Sequence, residues 1–116
     1  MPAASIKTVD LKSDRPPVHQ ALQRLERELA IARQQKLTLL KLIHGYGSSG
    51  TGGDIRISVQ AHLQELERNG LIRGSIYGED WSRSHPLSWK LLQSHPPLKT
   101  DEHLGRNNKG ITIVLL

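Results

Sequence analysis

The spacing of apolar residues in the first part of the chain predicts a strand, a helix and a second strand. Residues 6–12 are rich in β-branched residues with partial alternation, which is typical of a strand. A helix should begin near Asp14 or Arg15, with two prolines in its first turn. Its apolar residues recur at helical spacing: Val18, Ala21, Leu22, Leu25, Leu29 and Ala32. The apolar run 37–43 then indicates a buried strand.

A strand, a helix and a strand in this order predict a βαβ unit. Its crossover should be right-handed, which makes the two strands parallel. Both strands then end at the same edge of the sheet, near Lys12 and near His44. Open α/β sheets usually bind their ligands at that edge. We therefore expect the turn of residues 11–15 to face the segment that follows His44.

The second half of the chain predicts one more regular helix and two further strands. A helix over 54–69 carries an apolar stripe, followed by a moderately apolar strand over 71–77. The stripe consists of Ile55, Val59, Leu63 and Leu66. Residues 81–109 form an insert in which a short helix is expected from about 84 to 92. The terminal strand, 110–116, is apolar on both faces and should therefore lie inside the sheet.

Length and composition favour one domain without disulfides. The chain has 116 residues and no cysteine, so residues 5–116 should form one domain after a flexible N-terminus at 1–4. No apolar run is long enough for a spanning helix, and the N-terminus lacks a signal-peptide core. We expect a cytoplasmic, membrane-free and monomeric protein.

The charge balance changes the expected class of partner. Lysine and arginine exceed the acids to give a formal net charge of +5, and the isoelectric point is near 9.9. Such a balance favours polyanions, nucleic acid first, although many basic proteins bind nothing anionic.

The clearest motif is the glycine-rich segment between the second strand and the second helix. Residues Gly45 to Gly50 match G-x-G-x-x-G. A dinucleotide site would also need an acid at the end of the next strand, but that distance falls on Glu65 and Glu67 inside a helix. A Walker-type loop is excluded because no Gly-Lys-Ser/Thr follows. The alternatives left open are a loop that cradles phosphate, a flexible loop that binds nothing and, against the missing acid, a dinucleotide site.

Several side chains and backbone groups are candidates for this site. His44 could act as a general acid or base or donate to a phosphate, or it could merely cap the strand. Asp10 could support His44 or hold a cation, or it could face solvent. Arg56 could clamp a phosphate bidentately, and Arg106 with Lys109 could extend the positive surface. Alternatively, all three residues could be ordinary solvated cations. The candidate backbone donors are those of Gly45, Gly47, Ser48, Ser49, Gly50, Thr51, Gly52 and Gly53.

The tryptophans and the remaining histidines favour structural roles. Trp81 and Trp89 could stack on unpaired bases, but burial of at least one is the better prediction. The other histidines show no ligand spacing, and a metal cluster of His85, His95 and His103 would require irregular spacings. We expect no cofactor and no metal site, with a divalent ion needed only if the protein is a nuclease.

The order of these pieces resembles the Smr (small MutS-related) domain family over nearly the whole chain, and most closely its short stand-alone bacterial members. The resemblance is carried by four segments: Val9-Asp10-Leu11-Lys12, Ile43-His44-Gly45-Tyr46-Gly47, Ile55-Arg56 and Gly110-Ile111-Thr112-Ile113-Val114-Leu115. The insert also ends in the Leu104-Gly105-Arg106 that such members carry.

The resemblance implies an α/β fold, a two-layer sandwich with a mixed four-stranded sheet and βαβαββ connectivity. It implies binding of DNA or RNA and, in several members, cleavage, with roles in DNA repair and recombination or in ribosome rescue. By this resemblance, His44, Gly45 and Gly47 correspond to the family's glycine loop, and Arg56 corresponds to the arginine of the helix that follows it. A ribosome-associated protein-interaction module without phosphate chemistry is a further alternative.

One departure from the family bears on cleavage. Nuclease-competent members carry Leu-Asp-Leu-His-Gly at the end of the first strand, whereas this chain has Lys12-Ser13 after Asp10-Leu11. A lysine can grip a phosphate, but it is a poor general base at neutral pH. The sequence therefore favours nucleic-acid binding through Lys12, the glycine loop and Arg56 over an endonuclease that uses His44 with Asp10.

Overall fold

Strands and helices alternate through most of the chain. The computed structural model describes residues 6–14, 16–45 and 51–116, with the side chains of 51–53 left aside. The strands are β1 (Ile6–Asp10), β2 (Leu39–Ile43), β3 (Gly74–Tyr77) and β4 (Ile111–Leu115). The helices are α1 (Val18–Gln34), α2 (Thr51–Arg68) and α3 (Pro86–Ser94), with 3₁₀ turns at Gly78–Asp80 and Pro96–Thr100.

The strands form one mixed sheet in the order β1-β2-β4-β3. The strands β1 and β2 are parallel, while β4 runs antiparallel to both β2 and β3. The predicted parallel pair and the interior position of the last strand are therefore confirmed. Because β3 is antiparallel to β4, it runs parallel to β2, and β1, β2 and β3 all end at one edge of the sheet.

Each face of the sheet is covered by a separate apolar cluster. Helices α1 and α2 pack on one face, where their stripes meet alternate residues of the strands, among them Val9, Leu40, Leu42 and Val114. The insert between β3 and β4 packs on the other face, where Trp81, Leu91, Leu92 and Leu98 meet Ile76, Ile111 and Ile113. The expected α/β sandwich is thus present, and the insert adds cover to its second face.

The helix boundaries differ from the expected ones for local reasons. Helix α1 does not begin near Asp14 or Arg15 but at Val18, with Pro17 as its N-cap at ψ 156°. A residue that precedes a proline disfavours the α region, so Pro16 keeps the chain extended up to Pro17. Helix α2 begins at Thr51, ahead of the expected residue 54.

The end of α2 shortens the third strand. Gly70 has a φ of +73°, and the N–H groups of Gly70 and Leu71 donate to the carbonyls of Glu67 and Leu66 at 3.0 and 2.8 Å. This is a Schellman cap, which a glycine in the left-handed region makes without strain. Residues 71–73 connect the capped end of α2 to the sheet, and β3 therefore starts at Gly74.

The turn that follows β3 lies against the segment before β4. A Cβ atom placed on Gly78 would lie 1.7 Å from the carbonyl oxygen of Asn108. Only a glycine permits this approach, which fixes residues 106–110 beside the end of β3. No helix in the described segments is long and apolar enough to cross a membrane.

Candidate functional site

The parallel strands β1 and β2 end side by side, as their connectivity requires. Asp10 pairs with Ile43 in the register, and the N–H of Leu11 donates to the Ile43 carbonyl at 2.8 Å. Beyond this point the Lys12 side chain lies over Gly45, because a Cβ on Gly45 would be 3.5 Å from the Lys12 Cδ. The expectation that the two turns face one another is confirmed for Lys12 and Gly45, the parts of the two turns that the structure describes.

Asp10 organises the turn that carries Lys12. Its carboxylate accepts from the N–H groups of Lys12 and Ser13 at 2.9 and 3.0 Å and from the Ser13 hydroxyl at 2.6 Å. Partial burial, the largest single influence, favours a higher pKa, but these hydrogen bonds and the charge of Lys12 together hold the pKa of Asp10 below its usual value. Asp10 is therefore ionised at neutral pH, and its carboxylate oxygens accept hydrogen bonds from the residues of its own turn.

His44 is buried at the end of β2 and is fully hydrogen-bonded. Its side chain has no exposed surface. Its Nδ1 lies 2.7 Å from the carbonyl oxygen of Gly45, which can only accept, so Nδ1 carries the proton. Its Nε2 then accepts from the Thr112 hydroxyl at 2.8 Å. The ring ties β2 to β4 and has no free nitrogen in the described geometry.

The electrostatic surroundings keep His44 neutral. Burial is the main cause that lowers the pKa of the imidazole, and the charge of Arg56 lowers it further. The Gly45 carbonyl and the charge of Glu79 act in the opposite direction and offset only part of this. The neutral ring is therefore suited to anchoring Gly45, where the glycine-rich segment begins. The catalytic role of His44 stays a prediction.

Arg56 is held at this edge by an acid that the sequence did not single out. Its Nη2 lies 3.1 Å from the Glu79 Oε2, and about a quarter of each side chain is exposed. The Arg56 Nε and the Glu79 Oε1 are buried and lack hydrogen-bond partners among the described residues. Glu79 follows β3, which ends at the same edge as β1 and β2, and this topology was the signal that could have identified it.

The glycine-rich segment itself is only partly within the described chain. Gly47, Ser48, Ser49 and Gly50 lie outside the described residues, whereas Thr51, Gly52 and Gly53 form the first turn of α2. The N–H groups of that turn lack partners within the helix and mark its positive end. The N–H groups of His44 and Gly45, by contrast, both donate to the Gly110 carbonyl at 2.9 and 3.1 Å.

The insert is anchored by a buried charge pair that the sequence did not indicate as important. The Lys41 Nζ contacts the Asp101 Oδ1 at 2.9 Å, and the lysine side chain is only 4% exposed. The Asp101 Oδ2 accepts from the Trp81 indole at 2.9 Å and from the His103 N–H at 3.1 Å. A lysine inside the apolar run 37–43 was the available signal, because a buried cation requires a partner.

The remaining candidates fall outside this edge. Trp81 is fully buried, as expected for at least one tryptophan, whereas Trp89 is 43% exposed on α3. Arg106 lies in the insert, on an exposed turn four residues before Gly110. The His85 Nδ1 lies 3.4 Å from the Ser88 N–H at the start of α3, and the described residues contain no group of three side chains suited to a metal ion.

The comparisons with known proteins agree with the fold expected from the sequence. The crystal structure of the Smr domain of Thermus thermophilus MutS2 is similar to this chain, with a TM-score of 0.58 and 24% identity. The likeness covers 95% of this chain and 96% of that one. No protein-family model and no curated protein matches the sequence. The chain therefore has an Smr-like fold, and the predicted resemblance is confirmed at that level.

Proposed function

We propose that this domain binds nucleic acid through phosphate contacts at the edge where β1, β2 and β3 end. The observation that carries the proposal is the position of Lys12. Its side chain is exposed, lies over Gly45 and forms no salt bridge within the described residues. It stands at the edge of the sheet from which α2 starts, where the positive end of a helix also favours phosphate.

The proposal is one of binding and not of cleavage. The Asp10 carboxylate is occupied by its own turn, and both ring nitrogens of His44 have partners inside the fold. Through the family resemblance, the proposal extends to DNA repair or recombination and to ribosome rescue as the settings in which such a domain acts. Labelled DNA and RNA incubated with Mg²⁺, with Mn²⁺ and with chelator test the distinction on a denaturing gel. Cleavage that His44→Ala abolishes would overturn the binding-only proposal.

Lys12→Gln is expected to weaken binding of DNA and RNA oligonucleotides about equally for all sequences. The substitution keeps most of the side chain but removes one phosphate contact, so the slope of log affinity against log salt should fall by about one. Fluorescence anisotropy between about 50 and 200 mM salt measures that slope. The matched control is Lys36→Gln, an exposed lysine at the opposite edge, just before β2. Equal slopes in the two variants would remove Lys12 from the site.

Glu79→Gln is expected to strengthen binding and steepen the salt dependence. The carboxylate competes with phosphate for Arg56, so its removal frees the guanidinium. One added phosphate contact corresponds to a steeper slope by about 0.7–0.9. Glu65→Gln is the control, because Glu65 pairs with Arg68 on the exposed face of α2 and its loss adds the same net charge. If Glu79→Gln and Glu65→Gln have the same effect on affinity and slope, Arg56 takes no part as a phosphate ligand; weaker binding would mean that Glu79 positions Arg56 and does not compete for it.

A further inference from the structure

A second basic cleft lies in the insert, away from the glycine loop. It has a volume of about 530 Å³ and is lined by residues 83–84, 99–102 and 104–106. Its three cations, Arg83, Lys99 and Arg106, are all exposed. None of them forms a salt bridge within the segments that the structure describes. They are therefore available to an anionic ligand.

The acids of this cleft do little to neutralise its cations. Asp101 is already paired with Lys41 at 2.9 Å, and Trp81 and the His103 N–H occupy its other oxygen. Glu102 has a side chain that is 79% exposed and lies 3.8 Å from His103. An exposed carboxylate of this kind is strongly screened by water and salt. The cleft consequently keeps a positive charge.

Arg106 is carried on a turn with fixed anchors. The Gly105 N–H donates to the Trp81 carbonyl at 2.8 Å, and the Leu104 N–H donates to the Asp101 carbonyl at 3.2 Å. Trp81 is fully buried, so this turn is attached to the apolar core. A scaffold of this kind lowers the entropic cost of placing charges against a ligand.

The chain segment that lines the cleft leads directly to the edge proposed to bind nucleic acid. Arg106 also lines a neighbouring hollow of about 400 Å³ formed with Asn107, Asn108 and Lys109. The next residue, Gly110, accepts hydrogen bonds from the N–H groups of His44 and Gly45. The four steps from Arg106 to Gly110 span at most roughly 14 Å in extended form. That distance corresponds to roughly four nucleotides of helical rise.

We propose that Arg83, Lys99 and Arg106 form a second phosphate subsite, which binds the same nucleic-acid strand that Lys12 contacts. The proposal rests on the proposed function and adds to it a ligand class: an oligonucleotide strand long enough to reach from the glycine loop into the insert. A mononucleotide or a single phosphate would occupy only one of the two places. The shared chemistry is the phosphodiester backbone, so both DNA and RNA strands are tested.

The test compares two triple variants with the wild-type protein. The insert variant is Arg83→Gln/Lys99→Gln/Arg106→Gln. The control is Arg24→Gln/Arg27→Gln/Lys36→Gln, which removes the same net charge from exposed positions on α1 and the turn after it. Affinities for single-stranded DNA and RNA of about 2 and about 12 nucleotides are measured by anisotropy against salt. Circular dichroism checks that each variant melts as the wild-type protein does.

For the 12-mers, the insert variant should lose about 2 units of salt slope, since it removes three phosphate contacts and each contributes about 0.7 on a single strand. The dinucleotides are too short to reach both places, so they should bind the insert variant and the wild-type protein alike, and the control should change little with either length. An insert variant that matches the control, while Lys12→Gln still weakens binding, would overturn the second subsite and leave the proposed function intact. No binding by the wild-type protein at low salt would overturn both.

Discussion

Asp101→Asn is expected to lower the free energy of unfolding by about 3–5 kcal/mol. The substitution leaves the Lys41 ammonium, 4% exposed, inside the sheet without its counter-charge, and breaking one partner of a buried ion pair typically costs this much. Such a loss is a large part of the stability of a small domain. Urea unfolding followed by circular dichroism measures the effect.

The matched control is Lys7→Met. Lys7 lies on β1 and pairs with Glu28 at 3.0 Å, but its side chain is 40% exposed. The Glu28 side chain is 17% exposed, but the Lys7 ammonium remains open to water, so this pair should contribute only about 1 kcal/mol. If Asp101→Asn and Lys7→Met have equal effects, the pair between sheet and insert is not the anchor described above.

The Asp101 carboxyl should also make the free energy of unfolding decrease in acid. Burial, the largest single influence, favours a higher pKa, but the hydrogen bonds from Trp81 and Lys41, with the charge of Lys41, hold the pKa of Asp101 below its usual value. The unfolded chain therefore takes up this proton more readily, at about pH 3.9. The contribution is complete above that pH and is lost as the pH falls through the lower folded pKa. In the Asp101→Asn variant, the free energy of unfolding should fall less steeply as the pH is lowered. The remaining acid dependence should include the contribution of Asp10, whose pKa is also held below its usual value.

Gly78→Ala is expected to destabilise the fold by about 3 kcal/mol, at the upper end of the range for overpacking. The added Cβ would lie 1.7 Å from the Asn108 carbonyl oxygen and 2.8 Å from the Ile111 Cγ1. A backbone atom cannot rotate away as a side chain can, so the turn before β4 has to move. Urea titrations should show a lower midpoint at an unchanged slope.

Gly74→Ala provides the comparison within the same strand region. There the added Cβ would meet only the Glu67 Oε1, at the ordinary contact distance of 3.9 Å. We expect a change within about 0.5 kcal/mol. If the two variants lose similar free energy of unfolding, a glycine is needed at position 78 for backbone flexibility and not for the close approach of residues 106–110.

The regular elements could be predicted because their signals are local. The apolar spacing in α1 and the two-sided apolar character of β4 each follow from neighbouring residues. The order of strands then placed Lys12 and Gly45 at one edge. The start of α1 was wrong by a few residues, because the effect of Pro17 on Pro16 outweighed the preference of Asp14 for a cap.

The partners within the site could not be predicted because they come from distant parts of the chain. His44 was given a candidate functional role from its place beside the glycines, but its Nε2 is hydrogen-bonded to Thr112, which lies 68 residues away. The pairing of Lys41 with Asp101 spans 60 residues, and no local pattern specifies it. Glu79 was missed for the same reason, since its contact with Arg56 exists only once β3 has joined the sheet.

The place of β4 in the sheet also governs how the protein can fold during its synthesis. It follows the other three described strands in sequence, yet it lies between β2 and β3 and supplies the partner for both. Until it has been made, β3 has no neighbour and the inner edge of β2 stays open to other chains. The sheet should therefore be completed only after β4 has been synthesised, and the growing chain is most prone to aggregate before β4 emerges.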